Sequence, residues 1–477
     1  MKPKPPGRGF GAALLIGFVQ VVALSALGLL ARAVLGAPYP PQALFNAVSQ
    51  LLGTPAMFQF VHATFGYGQG GKIAAFVAVV IAWIGGLVVL RLAGPLFGTA
   101  FVFLGTALLV PMPTPVAYAL GFFGLHVRLD ALLRPLEARG GRRGTLRVLA
   151  GGSVALLAGG SVPLLRDLGG SGDPSGDTAW TRSGELPLGV SAQKNLYYVS
   201  KNIEAFDPNI DPEGFRLELR GLVKTPRAFT LSELRAFEAV HSERTLHCIS
   251  NPVGGPLIGN LNWTGLRLAD VLRTVGVRGG AKWVVWHAAD GYVESLPLAR
   301  ALEQDVLLVY EANNEVLERR HGFPLRVLIP DRLGMKQPKW LTAIELSTTE
   351  IAGYWAERGW TRTGLLETMS RIEEPTPHAA LTAGQPSLVR GVAFAGTTPI
   401  TRVEVSTDGG QTWRPAELTP RRSPYTWTLW SLSWTPGFGP QRLTVRAYAD
   451  GQLQTATGRE ALPEAATGWH SVDIVAS

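Results

Sequence analysis

TLHCISNPVGG, residues 245–255, holds the only cysteine in a chain of 477 residues. With no second cysteine, a disulfide within the chain is excluded. Four uses of the thiol remain open from these residues: a small buried apolar residue, a hydrolase nucleophile with His241 or His247 as its base, a zinc ligand, and a lone thiolate ligand to a cofactor held mainly by other contacts. The paired ligand spacing of zinc sites is missing. A turn of Gly, Asn and Pro lets backbone approach a bound group closely, which suits the last use.

The segments on either side read as a mixed α+β domain over about residues 195–372. FRLELRGLV, 215–223, alternates as a strand, and TLSELRAF, 230–237, pairs a Thr cap with Glu three residues on, the start of a short helix. LRLADVLRTVGV, 266–277, has helical spacing. KWVVWHAADGYVESLPL, 282–298, predicts a β pair about an Asp-Gly turn, and LLVYEANNEVL, 307–317, a further strand and turn. From residue 373 the pattern turns to short alternating strands such as TRVEVSTDGGQTWRPAEL, 401–418, and RLTVRAYADG. With no helical period there, residues 373–477 predict an antiparallel, immunoglobulin-like β-sandwich.

Upstream, the composition belongs to a membrane. Only 17% of residues are charged, and mean hydropathy is positive at +0.16. Apolar runs near residues 10–31, 73–92, 95–110, 114–133 and 146–165 give about five spans within 1–168, since roughly 20 apolar residues cross a bilayer as helix. Positive residues accumulate on the cytoplasmic side, so Lys2, Lys4 and Arg8 put the N-terminus inside. The group from Arg128 to Arg147 is inside only if 95–133 crosses twice. Everything past about residue 168 is then extracytoplasmic, on a multi-pass protein of the cell membrane. The net charge of +8 follows these flanks rather than a Lys, Arg and aromatic stripe, which argues against a nucleic-acid partner. GGRRGTLRVLAGGSVALLAGG, 140–160, reads either as an internal twin-arginine export signal or as the plain basic flank of a span. A flexible linker, 169–194, contains GGSGDPSGDT.

Taken together, TLHCISNPVGG, WTGLRLADVL (263–272), SLPLARAL, HGFPLRVLIP (321–330) and KWLTAIEL (339–346) resemble, in the same order, the sulfite oxidase family of molybdopterin enzymes. The stretch 401–418 is similar to that family's C-terminal dimerisation domain. The resemblance implies a molybdenum-molybdopterin cofactor with Cys248 as the metal ligand. It also implies contacts to the pterin or its phosphate from His321, Arg326 and Lys339, with Lys336 close by, Asp290 as a pterin hydrogen-bond partner, and Asn202 among the cofactor contacts.

The departures bear on substrate. Where the family has Arg-Asn-His after two aromatics, this chain has Ser200, Lys201 and Asn202; where it has Ala-Gly-Asn-Arg-Arg after the cysteine, residues 249–253 are Ile-Ser-Asn-Pro-Val. Counting from Trp355, Trp360 occupies the catalytic tyrosine position. The expected activity is therefore oxygen-atom transfer on a small substrate other than sulfite; the alternative is a cofactor-binding membrane sensor or structural protein that has lost turnover. His126 is the only clear histidine in the spans and His62 lies in an outer segment, so paired haem ligands are missing. Electrons then need a separate carrier, a quinone or a cytochrome, and a homodimer would form through the C-terminal domain.

Overall fold

The structure is a computed structural model that describes residues 189–201, 204 and 207–477. The chain divides into two compact units, Met1–Ser171 and Gly172–Ser477, and every described residue lies in the second. The five expected spans, the linker up to residue 188 and Asn202 lie outside the described residues. Among the described residues no helix is long and apolar enough to cross a membrane.

The first domain is built from β1 (Leu217–Gly221), β2 (Arg227–Phe229), α1 (Leu231–Arg235), β3 (Val240–His247), β4 (Ile258–Arg267), α2 (Leu268–Val275), β5 (Trp283–Ala288), β6 (Val293–Pro297), α3 (Leu298–Ala301), β7 (Leu307–Ala312), β8 (Glu315–Val316), β9 (Arg326–Leu328) and β10 (Leu341–Ser347). One sheet runs β2-β1-β10-β5-β6, and a second runs β3-β4-β7-β8 with β9 paired to β7. β1 lies parallel to β10, with Glu218 opposite Ala343, although more than a hundred residues separate them. The local elements follow their sequence signals. Thr230 and Glu233 close the capping box of α1 reciprocally, by bonds of 3.1 and 2.8 Å. α2 buries Leu268, Val271, Leu272 and Val275 on one face and stops at Gly276, whose φ is 64°. β5 and β6 meet about Asp290 and Gly291 as the Asp-Gly dipeptide predicts.

The core of this domain is shared. Leu217, Leu219, Val284, Trp286 and Ile344 of the first sheet pack with Leu308, Tyr310 and Val327 of the second, and α1 and α2 contribute Leu234 and Leu272. Burial on both sides is why β5 reads as a continuous apolar run. The antiparallel register of β3 and β4 ends with His247 opposite Ile258, so Cys248 is the first residue of the connecting turn.

The C-terminal domain is a two-sheet sandwich. One sheet orders strands 369–374, 387–394, 428–434 and 417–418; the other orders 380–381, 470–476, 439–449, 400–406 and 414–415, with 452–453 beside 439–449. Val389, Trp430 and Leu432 of the first meet Val403, Val445 and Ile474 of the second in a dry core.

Candidate active site around Cys248

Cys248 sits 5% exposed at the end of β3, with its sulfur 3.2 Å from the Ser250 hydroxyl. The turn after it is tied by its own groups. Cys248 N–H donates to Leu257 O at 2.9 Å, Asn251 N–H to Cys248 O at 3.2 Å, and Leu257 N–H to the Asn251 side-chain oxygen at 2.8 Å. The thiol is therefore carried on a hydrogen-bonded loop between two paired strands.

A wall of basic residues lies near it, with Arg326 and the thiol acting on the same Tyr197. His321 ends a 3₁₀ turn, Arg319–His321, and Gly322 follows in the left-handed region with φ of 116°. A Cβ at Gly322 would lie 3.0 Å from the Arg326 Cβ and 3.1 Å from that of Lys339, so glycine lets His321, Arg326 and Lys339 converge. Arg326 is 4% exposed; it donates to His321 O at 3.0 Å and stacks 5.4 Å from the Trp263 ring, while its Nε has no hydrogen-bond partner. Among the described residues no carboxylate pairs with it. Burial lowers its pKa to about 10. The buried His321 Nε2 also lacks a hydrogen-bond partner, and burial with Lys339, Arg326 and Arg320 nearby pushes its pKa well down. Lys339 donates to Arg320 O at 2.8 Å and lies 4.5 Å from the Tyr198 ring. A buried guanidinium without a counter-ion is costly, so this wall is built to receive an anionic group.

Phenols and acids form the rest. The Tyr197 hydroxyl makes no hydrogen bond within the described residues; a Cβ on Gly334 would lie 2.8 Å from it and 3.5 Å from His247 O. Burial first, then the neighbouring Cys248, raise the Tyr197 pKa, and Arg326 opposes them. Tyr292 is committed otherwise, donating to Met335 O at 2.6 Å. Tyr198 donates to Asp207 at 2.5 Å and Ser200 donates to the other oxygen of the same carboxyl at 3.1 Å. Burial raises the pKa of Asp207 against the pull of Lys339, and raises that of Asp290 against Lys201.

Cys248, Asp290, His321, Arg326 and Lys339 form one electrostatically linked cluster: Cys248 and Arg326 act on Tyr197, Arg326 and Lys339 on His321, and Lys339 on Asp290. Lys336 adjoins it, but its ammonium is bound to Glu294 at 2.6 Å and to Arg362 O at 2.9 Å, both partners on the protein side. Trp360 is buried, with its backbone N–H closing a turn onto Trp355 O at 3.1 Å. Arg244 turns away: it donates to Asp305 O at 2.5 Å and covers the Tyr425 ring at 4.6 Å. Sequence reasoning missed Tyr197, Arg320, Asp207 and Glu294. Tyr197 is one of the two aromatics that precede Ser200, and an aromatic next to another reads as core; only the fold brings its hydroxyl beside Gly334 and near Cys248 and Arg326.

Comparison with known proteins gives two family matches. Residues 204–355 match the oxidoreductase molybdopterin binding domain, and residues 363–460 the Mo-co oxidoreductase dimerisation domain. The mitochondrial sulfite oxidase of Drosophila melanogaster is 31% identical, over 52% of this chain and 52% of its own. The nitrate reductase [NAD(P)H] of Hordeum vulgare is 30% identical over 53% of this chain and 35% of its own. The chain therefore spans about half the length of the sulfite oxidase it matches. The sulfane dehydrogenase SoxCD of Paracoccus pantotrophus shares the fold, with a TM-score of 0.54 and 23% identity over 59% of this chain and 80% of that one.

Proposed function

We propose that this chain, which carries the molybdopterin-binding and Mo-co dimerisation domains of the sulfite oxidase type in residues 204–355 and 363–460, is a membrane-anchored molybdopterin oxidoreductase acting on a small substrate other than sulfite. Its cofactor is the molybdenum cofactor, and the residues present fit it. The observation that carries the reading is the buried Arg326, with no carboxylate partner among the described residues, beside His321, whose Nε2 makes no hydrogen bond and has Glu318 at 3.8 Å; Arg326 and the Cys248 thiol act on the same Tyr197. Arg326, His321 and Lys339 would hold the phosphate and pterin, Asp290 would hydrogen-bond the pterin, and Cys248 as thiolate would hold the metal. When bound, the cofactor supplies two-electron exchange of an oxygen atom with the substrate.

The protein's own groups bear on what that substrate is. A doubly charged oxyanion entering a partly dry site needs fixed positive charge. Ser200, at the first matching position, is buried and donates to the Asp207 carboxyl. Pro252 and Val253, at the others, are exposed. Arg244 is spent on Asp305 and Tyr425, and Lys201 faces Asp290 and the Tyr354 ring. These positions favour a neutral oxygen donor or acceptor. The Tyr197 hydroxyl, which lies near both Cys248 and Arg326, would donate a hydrogen bond to its oxygen. The domain works outside the cytoplasm, tethered by the spans in 1–168, passes electrons to a quinone or a separate cytochrome, and pairs as a homodimer through the sandwich.

Metal analysis of the purified protein should give about one molybdenum per chain, lost in Cys248→Ser. Steady-state turnover with an artificial electron carrier should then favour neutral sulfoxides or N-oxides over sulfite. Sulfite turnover with kcat/KM near 10⁶ M⁻¹ s⁻¹, on the order of an ordinary efficient enzyme, would refute the substrate reading. Full loading with no turnover on any of these compounds would favour a sensor.

A further inference from the structure

We infer that the sandwich domain holds the Cys248 turn in place, with Arg371 and His470 as positioning residues for the metal-binding thiol. The inference rests on the reading of Cys248 as the ligand.

The turn is gripped by two residues more than a hundred positions away in sequence, Arg371 and His470, and braced from within by Asn251. Arg371, 6% exposed, donates to Gly255 O at 2.7 Å. Its other arm bonds the buried Glu373 carboxylate. His470 presses on the preceding residue: Gly254 has φ of 73°, and a Cβ there would lie 2.1 Å from the His470 ring. Ile372 N–H donates to His470 Nδ1 at 3.0 Å, which fixes the ring and leaves its proton on Nε2. From the opposite side, a Cβ on Gly255 would lie 2.5 Å from the Asn251 side-chain oxygen, so neither glycine has room to move toward its neighbour.

The strands that carry the turn are docked on the same domain. Thr245, three residues before the cysteine, donates its N–H to Tyr425 O at 3.0 Å and accepts from Trp427 N–H at 2.8 Å. Ile258, at the start of β4, is buried with Val392, Phe394, Trp427 and Leu429 of the sandwich. Both ends and the middle of the loop therefore touch one domain. Buried charge here serves the same end: Arg371 bonds Glu373 through one arm and the turn through the other, while its Nε and Glu373 Oε2 have no hydrogen-bond partner among the described residues. Positioning of this kind changes how a thiol presents itself without removing it.

The test uses the full-length, molybdenum-loaded protein. Arg371→Met combined with Glu373→Met removes the grip without stranding a buried charge. The double variant should still bind molybdenum, because Arg326, His321 and Lys339 are untouched. Its molybdenum(V) paramagnetic resonance spectrum should shift or split into two species, and kcat should fall by about tenfold or more with KM within about twofold. Arg371→Lys, which keeps the charge pair, should give a smaller spectral shift and recover part of kcat. Loss of metal from a folded double variant would support the inference as well. A loaded double variant with the wild-type spectrum and kcat would overturn it. Should the double variant not fold, Arg371→Lys decides alone, and an unshifted spectrum overturns the inference. Failure of the underlying reading would be seen separately, as wild-type protein without molybdenum.

Discussion

Arg326 and Lys336 are buried cations ten residues apart in the chain, and the structure buries them for different reasons. Lys336 is 3% exposed with its charge answered by Glu294, and Gly353 makes room for that carboxylate, since a Cβ there would lie 2.0 Å from it. Arg326 has carbonyls, the Trp263 ring, Tyr197 and His321 about it, and no carboxylate partner among the described residues. Lys336→Met leaves Glu294 buried and alone, so it should lower unfolding free energy by about 3–5 kcal/mol, read by denaturant titration. Arg326→Met should leave the stability of the cofactor-free protein unchanged or higher, while pterin and molybdenum content fall severalfold. The reverse pattern would mean that the roles are exchanged. The family resemblance put Arg326 at the cofactor and Lys336 close by, and the partner of Lys336 is not visible in the sequence. Glu294 lies 42 positions before Lys336 and comes to it only because β6 runs past the 3₁₀ turn Gly334–Lys336.

At the scale of elements, legibility followed the range of the interactions. The capping box of α1, the apolar face of α2 and the Asp-Gly turn between β5 and β6 are set within a few residues, and the sequence showed each. The parallel pairing of β1 with β10 and the docking of β3 and β4 on the sandwich join segments too far apart for any local pattern to record. The docking has a consequence in acid. Burial first and Arg371 second lower the pKa of His470 from 6.5 to about 4. The ring faces Arg371 and the Gly254 backbone, with Glu373 bound to that arginine. In the unfolded chain His470 takes up a proton below pH 6.5, which the folded protein refuses until about 4. Stability tied to the neutral ring is thus complete above pH 6.5 and is lost as the pH falls toward 4. His247 adds a slope of the same sign, its pKa lowered to about 3, so the difference between variants is the readout. Denaturation midpoints should fall more steeply with acidification in wild type than in His470→Gln; parallel curves would refute the assignment.

For the whole molecule, the proposed membrane anchoring makes charge decide which side the Cys248 domain would occupy. The chain carries a net +8, with Lys2, Lys4 and Arg8 before the first apolar run and Arg128, Arg134, Arg139, Arg142, Arg143 and Arg147 before the last. Positive residues flanking spans stay cytoplasmic, because carrying them across is unfavourable. Two basic groups on one side require an even number of crossings between them, and the apolar runs from 10 to 133 supply four if 95–133 crosses twice about Pro111, Pro113 and Pro115. The run at 146–165 then makes the last crossing. Reporter fusions at residues 140 and 180 should accordingly read opposite sides, 140 inside and 180 outside. Both reading inside would leave the cofactor domain cytoplasmic and void the five-span arrangement. The arginine pair adds a second arm: a twin-arginine route exports folded, cofactor-loaded protein, so Arg142→Lys with Arg143→Lys should hold the 180 reporter inside. If the pair is only a basic flank, the same substitutions keep the positive charge and the reporter stays outside.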